Sequence, residues 1–289
     1  MKLSRLGMTE SGLLLLHFTL YNVKLPDHIQ QNVIKSYLHL ANWLYTCAGY
    51  YDKNVPGSNF NFNIESIKTN NWMRYMNELG ESVSGCEKSQ FYFHEGFITN
   101  LFNNVKDIFI KHYNIDNFEL LNCGRFVDRL PFIYKNMEGK KILTISSFSK
   151  LMKQQYDNGN VYKLGIEFPN VKSVDGVVMP YCFTNSGPHQ NYFETFDSLF
   201  EEIKTKDFDI AVLGCGCYGH SLVHKIHTEL GKDAMYVGGC VPNLFGILGE
   251  RERNVGMGQH VPTNEFWVLD IPLEYRPTNY KAVENGCYW

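Results

Sequence analysis

The stretch Asp209-Ile210-Ala211-Val212-Leu213-Gly214-Cys215-Gly216-Cys217-Tyr218-Gly219 constrains this chain more than any other. A short apolar run enters a G-x-G-x-x-G turn, and a helical pattern follows from about Tyr218 to Leu230. Ala234 to Val237 is then the next strand, closed by Gly238-Gly239. Upstream, Lys141 to Ile145 is a short apolar run bounded by Ser146-Ser147, with a helix continuing to Tyr156. Val177 to Met179 predicts a strand, and Tyr192 to Ile203 carries Phe193, Phe196, Leu199, Phe200 and Ile203 at helical spacing. Strands alternating with helices predict parallel βαβ units with helices on both faces.

The first half is mostly helical in pattern. His28 to Tyr45 has a wide apolar face and ends at Gly49, and a polar loop from Asp52 to Asn63 contains Pro56-Gly57. Further helices are expected at 64–79, 95–112 and 124–135, with a strand at Gln90 to Phe93. Lys2 and Arg5 ahead of Leu13-Leu14-Leu15-Leu16 resemble a secretory signal, but Glu10 lies between them, His17 interrupts the run and no small-x-small site follows. The run also falls far short of the ~20 apolar residues of a membrane span. A short strand leading into a buried helix is the better reading. The tail from Gln259, with Pro262, Pro272 and Pro277, is expected to wrap the surface.

These elements predict a single α/β domain over 1–289, doubly wound on a mostly parallel, Rossmann-like sheet. An N-terminal helical portion (1–135) packs on that sheet, 136–258 is the nucleotide-binding-like βαβ part, and 259–289 is the tail. The 27 Lys and Arg against 30 Asp and Glu leave a net charge of −3, so no basic field exists for a nucleic-acid partner. Eight cysteines without a CxxC pair exclude a zinc knuckle or a small disulfide scaffold. Reduced thiols packed as small hydrophobes make a cytoplasmic location the simplest expectation. Oligomeric state stays open, a homo-oligomer included.

Candidate chemistry lies at the strand ends. Gly214, Gly216 and Gly219 allow a tight turn and close backbone approach, and N–H groups at a helix start favour a phosphate. A dinucleotide site also wants an acid at the end of the next strand, and Tyr236-Val237-Gly238-Gly239-Cys240 has none. Gly238 and Gly239 instead suggest a crevice where backbone passes close to a ligand. Ser146, Ser147 and Ser149 open a helix carrying Gln155, a combination suited to a phosphate or a sugar hydroxyl, or to plain capping. His220 and His224 stand at i,i+4 without the acid of an HExxH motif. Those two and His227 are expected to be solvated or capping. No G-x-S-x-G elbow or Walker lysine is present.

Together these blocks resemble the GT-D type of glycosyltransferase, over most of the chain. Arg5-Leu6-Gly7-Met8-Thr9-Glu10 is similar to that family's R-x-G-D-G-E element, and Gly49-Tyr50-Tyr51-Asp52 and Ile145 through Gln155 match further blocks. The strongest block runs from Phe208 to Gly216 and on through Gly231-Lys232, Val237-Gly238-Gly239 and Leu244-Phe245-Gly246-Ile247. Glu284-Asn285-Gly286-Cys287-Tyr288-Trp289 closes the series.

The resemblance implies transfer of a sugar from a uridine diphosphate sugar to a hydroxyl of a glycan or other acceptor. It also implies a Mg²⁺ or Mn²⁺ ion held by the acids of the N-terminal element. Here Glu10 is kept, but Met8 stands where the family has Asp, so metal dependence stays open. Glu10 is read as a ligand of a water-bridged metal, a general base, or a partner of Arg5. Gly7 belongs to the same donor-binding element, and Arg5 is read beside Glu10 as a catalytic candidate, a bidentate partner of the leaving diphosphate. Glu250-Arg251-Glu252 departs from the basic residue and Trp of the relatives. Two alternatives remain: a non-catalytic nucleotide- or glycan-binding module, and another Rossmann-type enzyme such as a methyltransferase or dehydrogenase.

Overall fold

The computed structural model describes residues 1–55, 63–93, 96–120, 126–254 and 256–289. The Pro56-Gly57 turn and the first positions of the helices expected from 95 and 124 lie outside these residues. The chain is α/β, built on one seven-stranded sheet of order β3-β2-β1-β7-β6-β4-β5. Its strands are β1 (Lys2–Leu6), β2 (Lys88–Phe91), β3 (Phe118–Leu120), β4 (Lys141–Ser146), β5 (Ser173–Val178), β6 (Ile210–Gly214) and β7 (Asp233–Tyr236). Every pairing is parallel, which gives the Rossmann-like, doubly wound arrangement.

Alternation along the strands splits the core in two. Leu143, Ile145, Ala211, Leu213 and Ala234 enter one cluster, and Ile142, Ile210, Val212 and Met235 enter the other. The first face carries helices α1 (Met8–Asn22), α2 (Asp27–Trp43), α3 (Asn70–Val83), α4 (Phe97–His112), α7 (Tyr192–Lys204) and α8 (Gly219–Leu230). On the second lie α5 (Leu130–Met137), α6 (Ser149–Asp157) and the C-terminal tail. Leu13 to Leu16 are all fully buried in α1, which packs on α2, α3 and α4. The leucine run is therefore core. No helix among the described residues is long and apolar enough to cross a membrane.

Two expectations change. The N-terminal portion does not merely pack on the sheet: β1, β2 and β3 are strands of it. β3 has only three residues and no alternation of its own, so its pairing with β2 decides its conformation. The tail does wrap the second face, yet its last residues turn inward, and Val283 and Trp289 are buried.

Candidate functional site

Beyond their carboxyl ends the neighbouring strands β1 and β7 send the chain to opposite faces of the sheet, β1 into α1 on the first face and β7 into the C-terminal segment on the second. Such a switch point leaves a crevice beyond the strands' carboxyl ends. Here a cavity of about 430 Å³ lies, within the size range of small-molecule sites. Its floor is built by Arg5 and Gly7 after β1, Ser146 to Phe148 after β4, Gly214 to Gly216 after β6 and Gly238 to Cys240 after β7. Met179 to Phe183, after β5, close one wall. Trp43 and Cys47 to Gly49 form one side of the roof, and Glu284, Tyr288 and Trp289 form the other. The last turn before Gly49 widens to a π-turn over Leu44–Ala48, and Gly49 ends it at φ +88°.

Arg5 reaches the cavity with few partners. Its Nη1 donates one long bond of 3.5 Å to Val237 O, and its Nε is buried without a partner. Gly238 makes room for it: a β-carbon there would stand 3.3 Å from Nη1, and φ is +82°. Arg251 is the opposite case. It pairs with Glu252 at 3.4 Å and Glu284 at 3.2 Å, and lies over the Tyr288 ring at 4.6 Å.

Glu10 lines the cavity but is 7% exposed. Its carboxyl turns back on the first turn of α1, so a β-carbon at Gly7 would lie 2.7 Å from Oε2. Burial pushes its pKa up, opposed by the backbone N–H groups of Glu10 and Gly7 and by the Arg5 charge. Arg5 and Glu10 form no direct ion pair and act on each other through space. A divalent cation needs a cage of oxygens. Among the described residues no group of three His, Cys, Asp or Glu could supply one, and Met8 offers only a thioether. The donor set therefore does not fit the divalent ion that the resemblance implies.

The serine loop is closed on itself. Ser146 Oγ accepts from Phe148 N–H, Ser147 Oγ donates to Met179 O, and Ser149 Oγ accepts from Ser146 N–H while donating to Thr144 O. Ser146 and Ser147 line the cavity, whereas Ser149 lies beneath it. Gln155 is also outside the lining. It donates to Phe245 O and Phe266 O and accepts from Asn160, so it ties α6 to the tail.

Glycines of the 214–219 turn serve the chain's own packing. At Gly216, φ is +56° and a β-carbon would collide with Ala48 O under the roof. At Gly214 a β-carbon would stand 2.6 Å from Gly238 O, and at Gly219 it would strike the Tyr236 ring. Gly214 and Gly216 line the cavity, but Gly219 does not. Gly239 is exposed at the rim beside Tyr288.

Of the three histidines only His227, against a carbonyl just past the end of α8, fits the expectation of a solvated or capping role. His220 is fully buried, with Nδ1 3.0 Å from Ser4 Oγ. Burial, then the Arg5 charge, pushes its pKa down to about 3. His224 Nδ1 accepts from Lys2 Nζ at 2.8 Å, and His227 Nδ1 lies 3.2 Å from Lys232 O. Both members of the i,i+4 pair face β1, so the stripe seals helix to sheet. The thiols near the cavity are unreactive by the same physics: burial raises Cys182 to about 12 and Cys240 to about 11.

Residue-level reading missed Trp43, Cys47 and Tyr181, whose place in the lining depends on how distant segments meet. The helix-stop signal at Gly49 was the sole local hint of the roof. Searches of protein-family models, curated proteins and solved structures returned no match.

Proposed function

We propose that the chain is a GT-D-like glycosyltransferase whose cavity binds a nucleotide sugar, a uridine diphosphate sugar being the first donor to test. One observation carries the reading. Blocks far apart in sequence, Arg5 to Glu10, Gly49, Ser146 to Phe148, Gly214 to Gly216, Gly238-Gly239 and Glu284 to Trp289, all contribute to one cavity at the sheet's switch point. Trp43, 37% exposed and part of the lining, is the aromatic we assign to stack on a base or sugar ring.

The chemistry asked of these groups is modest. An acceptor hydroxyl oxygen bonds to the anomeric carbon while the bond from that carbon to the diphosphate oxygen breaks. The electron pair leaves with the diphosphate, and Glu10 takes the hydroxyl proton. A buried carboxyl with a raised pKa suits a proton acceptor better than a metal ligand. Release of nucleoside diphosphate from a panel of nucleotide sugars, with glycan acceptors supplied, tests the reading. Glu10→Gln is expected to lower kcat by about 10²–10⁴-fold with little change in donor affinity.

A second reading rests on Met8 and the missing oxygen donors: a binding module that keeps the fold without turnover. Donor binding with no release, in wild type and Glu10→Gln alike, would favour it.

A further inference from the structure

Resting on the donor-binding reading above, we infer that the diphosphate is held by Arg5 and the backbone N–H of Gly239, with no divalent cation. Arg5 presents five N–H donors, of which the structure uses one in a bond longer than the usual range. Its Nε is buried and unpartnered. A guanidinium held partly out of water with so little compensation is costly unless an anion completes it.

Among the described residues, the carboxylates nearest the cavity are otherwise engaged. Glu10 is turned onto the start of α1, and Glu252 and Glu284 are paired with Arg251. The planar fork of Arg5 matches two phosphate oxygens at once. Gly238 gives its N–H to Leu213 O, and Gly239, exposed at the rim beside Tyr288, offers the next backbone N–H to the rest of the diphosphate.

Calorimetric titration of the full chain with inorganic pyrophosphate, and separately with uridine diphosphate, tests this in EDTA and in Mn²⁺. Pyrophosphate is expected to bind in EDTA, with an affinity that Mn²⁺ alters less than about threefold. Arg5→Gln should weaken it at least about tenfold, the loss of one charge-assisted pair. Arg5→Lys keeps the charge and should fall between. Binding only with Mn²⁺, wild-type affinity in Arg5→Gln, or no pyrophosphate binding would each overturn the inference. If Arg5→Gln does not fold, wild-type affinity in Arg5→Lys does so instead. The two readings fail differently. Sugar transfer that requires Mn²⁺ removes the arginine site and keeps the transferase. Metal-free pyrophosphate binding without turnover of any nucleotide sugar keeps the site and removes the transferase.

Discussion

Lys2 and Arg5 stand on one short strand, yet the fold treats their charges in opposite ways. Lys2, at the amino end of β1, is 2% exposed and fully served: Nζ donates to Ser84 O at 2.6 Å and to His224 Nδ1 at 2.8 Å. Around it the amino edge of the sheet is laced with ion pairs, Met1 and Lys140 with Asp233 and Lys141 with Asp207. Arg5, at the carboxyl end, has one long bond and an unpartnered Nε. Where charges are saturated the chain is building itself. Where one is left short, in the floor of a cavity, the fold has kept capacity for something else.

The comparison can be broken by stability measurements. Lys2→Ala should cost about 2–3 kcal/mol, because Ser84 O and His224 lose a charged partner inside the protein. At this chain length that is a fall in Tm of about 5–10 °C, read by thermal denaturation. Acid should act through the contact of α8 with β1. His220 is neutral when folded, with its pKa pushed to about 3, while the unfolded chain titrates near about 6.5. The unfolded state therefore binds the extra proton as pH falls through that window. The stabilisation is complete above about pH 6.5 and is lost towards pH 3, by roughly 2 kcal/mol at pH 5. His17 and His224, each lowered to about 4, act in the same direction. Glu10, with its raised pKa, acts in the opposite direction. Denaturant unfolding at pH 7 and pH 5 measures the sum, and His220→Asn should flatten it. Arg5→Gln should change stability least, within about 0.5 kcal/mol, despite its large effect on anion binding. A loss as large as that of Lys2→Ala would make Arg5 structural and dissolve the contrast.

The contrast also separates what was legible in the residues from what was not. β6, α8 and β7 follow from an apolar run, a glycine turn and a helical period, and the structure has all three. The same glycines read as a phosphate cradle, but Gly216 is required by Ala48 O and Gly219 by the Tyr236 ring. A turn's need for glycine is local; the reason for it comes from what packs above, which spacing cannot supply. His220 and His224 show the same limit. Their i,i+4 spacing says they share a face, and only the docking of α8 on β1 says that the face is buried against Ser4 and Lys2. β1 was expected, and so was the buried helix holding Leu13 to Leu16. β3 was not, because three residues carry no pattern. Arg5 and Glu10 entered as candidates through their neighbourhood of Gly7 and the family-like spacing. Their different conditions, one cation underserved and one carboxyl turned onto its own helix, are visible only in three dimensions.

The most direct measurement is a crystal structure of the chain with uridine diphosphate, grown in EDTA. The account predicts diphosphate oxygens within hydrogen-bond reach of the Arg5 guanidinium and of the Gly239 N–H, with Glu10 still turned onto α1. A nucleotide bound away from Arg5, or one that enters only with Mn²⁺ and places that ion against Glu10, would contradict it.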